Sequence, residues 1–175
     1  VDAAVMVLDA AKGIESQTRK LFEVCRLRDI PIVTFVNKMD REARDPFELI
    51  DEIEQTLALD AAPVAWPVGR ASEFWGTYDI LGKRLMPVDA TEDEGIPVSG
   101  ADDPKIAALV GKARATALYE EVLLAEAGLK PFDLAAFRQG TLTPVFFGSA
   151  LRDFGVGHLL EGISRYAPPP GARDA

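Results

Sequence analysis

The tetrapeptide Asn37-Lys38-Met39-Asp40 sets an amide, an ammonium and a carboxylate directly after the apolar run 31–36. In open α/β sheets, ligands settle just beyond the carboxyl ends of the strands. These side chains therefore stand where a ligand is met, and their types suit one ring system. A carboxylate accepts two hydrogen bonds from the N1–H and 2-amino donors of guanine, and adenine presents no such pair. Asn bonds a Hoogsteen edge and nearby backbone, while the aliphatic stem of Lys covers the flat face of a base. The competing explanation is a polar turn between strand and helix, where Asn, Lys and Asp are all common. A second segment, Gly148-Ser149-Ala150-Leu151, follows another apolar run, 143–147, about 110 residues later. If the two strands are parallel neighbours, both segments face one crevice, and the Ala150 N–H is placed to bond guanine O6. A tight turn of small residues is the plain alternative.

The elements that must position these segments show in the pattern. Residues 3–8 form a nearly continuous apolar run, the mark of a strand covered on both faces of a parallel sheet. Residues 16–28 turn helical, with Leu21, Phe22 and Cys25 on the apolar face. The run 31–36 reads as a second buried strand. A helix over 45–59 has Asp45 as N-cap, Pro46 at its first position and Glu48 closing a capping box. Its apolar face is Phe47, Ile50, Ile53 and Leu57. Strand and helix alternating in this way imply a parallel α/β sheet.

The pattern changes near residue 60. Short strand-like runs at 64–68, 74–81 and 84–88 carry Trp66, Phe74, Trp75 and Tyr78, expected to form a small core of their own. The acidic stretch 89–95 reads as a solvated loop and lacks the spacing of a calcium loop. A long helix is expected over 104–127, closed by Gly128 as a left-handed cap, with a shorter one over 132–138. Strand 143–147 and helix 156–166 follow, and Pro168-Pro169-Pro170 ends the helix. The expected fold class is α/β: a partial sheet of three parallel strands with helices (1–66 and 141–167), an inserted α+β subdomain (67–140), and a linker (168–175).

Composition narrows the function classes. With 28 acidic against 19 basic residues, the formal net charge of −9 repels phosphate backbones, so direct nucleic-acid binding is not expected. No apolar run approaches the roughly 20 residues of a membrane-spanning helix. The single cysteine, Cys25, fits core packing and a reducing, cytoplasmic setting. One histidine and one cysteine argue against a metal site. The histidine, His158, is expected to be a surface or satisfied residue.

Residues 1–9, Ala11-Lys12-Gly13-Ile14-Glu15, Asn37 to Asp40, and Phe147-Gly148-Ser149-Ala150-Leu151 together resemble the nucleotide domain of translational GTPases. Arg41-Glu42, Asp45-Pro46-Phe47-Glu48-Leu49, Trp66-Pro67-Val68-Gly69 and Arg152-Asp153-Phe154-Gly155-Val156 are similar to the bacterial peptide chain release factor three family, more than to elongation factor G. The resemblance implies a P-loop-type GTPase fold, GTP or GDP with Mg²⁺ in an intact parent, and work on the ribosome that releases the stop-codon-reading factors. It implies guanine binding by Asn37, Lys38, Asp40, Ser149, Ala150 and Leu151, and a ribosomal stalk protein as a partner for 67–140. The sequence holds no Gly-x-x-x-x-Gly-Lys-Ser/Thr phosphate loop. A chain that opens on Val1, already within a strand, reads as a fragment with no complete catalytic site and no nucleotide bound on its own. The alternatives are a piece of elongation factor G or of a ribosomal-protection GTPase, or a non-catalytic interaction module.

Overall fold

The computed structural model describes residues 1–89 and 95–172. Most of the acidic loop (90–94) and the end of the linker (173–175) lie outside the described residues. Two four-stranded sheets organise the rest. The first runs β1 (Ala4–Asp9), β2 (Ile32–Asn37), β8 (Leu142–Phe147), β3 (Asp60–Pro63), every pair parallel. The second is antiparallel, in the order β4 (Ala65–Val68), β5 (Gly76–Asp79), β6 (Arg84–Pro87), β7 (Ile96–Pro97). Helices α1 (Ser16–Leu27), α2 (Pro46–Leu57), α3 (Pro104–Val110), α4 (Lys112–Gly128), α5 (Leu134–Arg138) and α6 (Val156–Tyr166) complete the chain.

The parallel sheet thus has four strands, one more than the sequence pattern indicates. The extra strand is β3, whose four residues pair with the start of β8. Strands β2 and β8 lie in the middle and are buried almost throughout, which is why they read as unbroken apolar runs. Their two buried hydroxyls, Thr34 and Thr143, bond each other at 2.8 Å, so neither is left unsatisfied.

Helix α2 begins as expected. Asp45 accepts from the Phe47 N–H at 2.8 Å, and Pro46 occupies the first helical position. Glu48 does not close the box but faces Arg44 at 3.7 Å. Asp45→Ala should therefore lower stability by about 1 kcal/mol; urea unfolding checks this, and an unchanged midpoint would remove Asp45 as a cap.

Elsewhere the pattern misleads. The long helix over 104–127 is two helices broken at Gly111, whose φ of +90° no helix accommodates. Gly128 ends α4 from within, and Leu129 follows in an extended conformation. In α1 only Phe22 is buried, while Leu21, Val24 and Leu27 are 69%, 50% and 86% exposed. These lie on an element that follows β1, which among the described residues is an edge strand paired with β2 alone and carries exposed Val5 and Val7.

The aromatic residues do not build a separate core. Trp66 is fully buried, with its ring 4.7 Å from Phe47 and 6.0 Å from Phe147, and its indole N–H donates to Glu121 at 2.7 Å. Phe74 meets Phe154 edge-on at 5.6 Å. One cluster therefore runs from Met6 and Ile50 through Trp66 and Leu85 to Leu118 and Val122.

Charged groups clasp the second sheet to α6. Arg84 bonds Asp79 at 2.7 Å and Glu161 at 2.8 Å, with His158 3.5 Å from Asp79 and edge-on to Phe146. His158 is largely buried, so it is a satisfied residue of this joint. Burial holds its imidazole below the ordinary value, opposed by the Asp79 carboxylate and reinforced by Arg84. A histidine buried neutral contributes fully above its unfolded value of about 6.5 and loses that contribution as the unfolded state gains a proton. The stability of the wild type relative to His158→Gln should fall as pH drops from 7.5 to 5.5. A pH-independent difference between their melting temperatures would contradict the neutral assignment.

Candidate functional site

Register brings the two polar segments together. β2 and β8 pair from Thr34↔Val145 to Val36↔Phe147, so both chains leave the sheet at the same height. The pairing continues past the strands: the Gly148 N–H donates to Val36 O at 3.0 Å, and the Met39 N–H to Gly148 O at 3.1 Å. Met39 is fully buried, which anchors the tetrapeptide and turns its polar neighbours outward.

Asn37 joins the segments. Its Oδ1 accepts from the Lys38 N–H and from the Ala150 N–H, both at 2.8 Å. The N–H expected to meet a guanine O6 is thus already held by the Asn37 amide, which leaves the Asn37 NH₂ to face outward. Leu151 is 78% exposed on the short turn that follows. Ser149 is 1% exposed, and its Oγ is a buried hydroxyl with no hydrogen-bond partner among the described residues. Such an orphan is costly unless a further group completes it.

Asp40 is half-buried in the turn closed by the Arg41 N–H on Lys38 O. It makes no hydrogen bond or ion pair among the described residues, and the cap of α2 is Asp45. Asp40 thus lies in a turn, as the competing explanation for the tetrapeptide has it, and does not cap α2. A carboxylate without a protein partner at the rim of a crevice suits a ligand carrying paired donors.

Two residues of the site escaped sequence reasoning. Asp9 ends β1 directly opposite Asn37, and its carboxylate meets Lys38 Nζ at 2.8 Å. That hydrogen bond holds the Asp9 carboxyl below the usual carboxylate range, assisted by the backbone N–H groups of Ala11 and Lys12. Only the sheet's register could have paired it with Asn37. Phe154 closes the other side by exchanging backbone bonds with Ser149. Gly148 permits this approach, since a Cβ there would lie 2.4 Å from Phe154 O and 2.9 Å from the Phe35 ring.

Among the described residues there is no group of His, Cys, Asp and Glu side chains suited to a metal, and no helix long and apolar enough to cross a membrane. A crystal structure of a protein from Thermus thermophilus has a similar fold, with a TM-score of 0.70 over 97% of this chain at 23% sequence identity. The chain spans 27% of the length of that structure. The sequence model of the elongation factor Tu GTP-binding domain matches residues 1–169, nearly the whole chain. With its parallel sheet, inserted antiparallel unit and paired segments at the strand ends, this chain belongs to the elongation factor Tu GTP-binding domain family of translational GTPases.

Proposed function

We propose that this chain is the base-reading part of a ribosome-associated GTPase that acts in termination and drives departure of the stop-codon-reading release factors. The observation that carries the base-reading is the Asn37 amide, which binds both Lys38 and Ala150 and so locks two distant segments around one crevice. Asp40 takes the paired donors of guanine, the Asn37 NH₂ faces its Hoogsteen edge, and Lys38 and Leu151 cover its two faces. Ser149 supplies the buried, unpartnered hydroxyl beneath the crevice, and the Ala150 N–H, held by Asn37 Oδ1, orients the Asn37 amide toward the base. GTP or GDP with Mg²⁺ is the nucleotide of the longer protein, where Mg²⁺ and a phosphate loop supply charge stabilisation for phosphoryl transfer. The termination role rests on the resemblance of residues 41–49, 66–69 and 152–156 to the release factor three family. The inserted unit, 67–140, is the contact for a ribosomal stalk protein.

The 175-residue sequence contains no Gly-x-x-x-x-Gly-Lys-Ser/Thr phosphate loop. The purified 175-residue chain should therefore leave GTP intact and bind GDP only weakly. Phosphate release above a buffer control would sink this division of labour. For the termination role, the full-length protein should speed release-factor recycling on stop-codon ribosomes and leave translocation unaffected; the reverse result would assign it to the elongation factor G kind.

A further inference from the structure

Lys38 is the most constrained residue of the crevice. Its φ is +67°, a left-handed backbone that non-glycine residues adopt only where the surroundings enforce it. The Asn37 Oδ1 bond to its N–H fixes the backbone. Its side chain then runs from the end of β2 to the end of β1, where Nζ meets Asp9 Oδ2 at 2.8 Å.

Asp9 is built to receive it. Its other oxygen, Oδ1, accepts from the Ala11 N–H at 2.9 Å and the Lys12 N–H at 3.2 Å, and its carbonyl from the Gly13 N–H at 2.8 Å. The loop so formed is itself pinned to α2. The Ile14 N–H donates to Glu52 Oε1 at 2.9 Å, Arg44 bridges to Glu52 Oε2, and the Arg44 N–H bonds Ala10 O. The Asp9 side chain is mostly buried while that of Lys38 is half-exposed, so the carboxylate is the fixed partner and the lysine the one held. A cleft of about 300 Å³ opens beside the pair, lined by Asp9, Gly13, Glu15, Thr18, Asn37 and Lys38.

We propose that Asp9 is a positioning residue for guanine recognition: it anchors the Lys38 ammonium so that the lysine stem lies as a fixed wall over the face of the base. The proposal rests on the base-reading given above. A stem held at both ends loses little rotamer freedom when a base stacks on it, and that saved entropy appears as affinity. Asp9 does not touch the nucleotide.

The test uses the full-length protein and GDP as probe, with ADP as control. Asp9→Asn keeps an oxygen for the Ala11 and Lys12 N–H groups and removes the charge that holds Lys38, so the fold is retained; equal melting temperatures verify that. Its GDP affinity should drop about five- to tenfold. Lys38→Met, which keeps the stem's bulk without the ammonium, should lose a similar factor, and the double variant should be no weaker than Lys38→Met alone. An unchanged affinity in Asp9→Asn, or two losses that multiply in the double variant, would overturn the positioning role. A wild type that does not prefer GDP to ADP would overturn the base-reading itself, and this proposal with it.

Discussion

In the full-length protein, Asp40→Asn should lose guanine nucleotides by a factor of about ten to one hundred and gain preference for xanthosine nucleotides. The substitution puts an NH₂ donor where guanine presents its own donor, leaving groups unpaired at about 1–3 kcal/mol each. Xanthine carries a carbonyl in place of the 2-amino group, so the new amide donates to it. Because Asp45 caps α2 and Asp40 bonds nothing else among the described residues, the substitution should leave stability nearly untouched. Nucleotide competition settles the matter. If GTP and xanthosine triphosphate compete in the same ratio before and after the change, the assignment of Asp40 to the base fails.

Trp66→Ala should cost about 3–5 kcal/mol, the range for emptying a large aromatic site in a close-packed interior. The indole joins both sheets: it packs on Phe47 from α2 and Phe147 from β8, and bonds Glu121 on α4. Its removal should therefore destabilise the inserted unit and the parallel sheet together. Denaturant unfolding followed by far-ultraviolet circular dichroism and by fluorescence of the remaining Trp75 reads this directly. Two separated transitions in the wild type, only one of them shifted by the substitution, would show that the units are energetically independent.

Legibility in the sequence followed how many physical constraints bore on each residue. β2 and β8 were plain because central parallel strands are buried on both faces and read as uniform apolar runs. The start of α2 was plain because a cap and a proline act locally. β3 was not: Asp60-Ala61-Ala62-Pro63 is short, rich in small residues, and merges through Val64 into the apolar residues of β4. Only Val64, which donates to Val145 of one sheet and accepts from Ile80 beside the other, marks the change of sheet. The break at Gly111 was hidden because a lone glycine inside a helical pattern is tolerated as often as it interrupts. For the site, residue chemistry pointed to both segments, but the Asn37–Ala150 bond and the Asp9–Lys38 pair depend on register, which no local pattern encodes. Leu21 was assigned to a buried face by periodicity, and periodicity does not say whether a second layer exists to cover that face.

The order of the parallel sheet carries a cost in time. β8 sits between β2 and β3 yet is made last of the four, and its bond from Thr143 to Thr34 spans 109 residues. Until it arrives, the inner edge of β2 and all of β3 stand without their lateral partner in this sheet. Non-local pairing of this kind slows the search for the native state and lengthens the interval in which bare strand edges are open to the wrong neighbour. The crevice between Asn37 and Ala150 exists only once that last strand is drawn into the gap between β2 and β3.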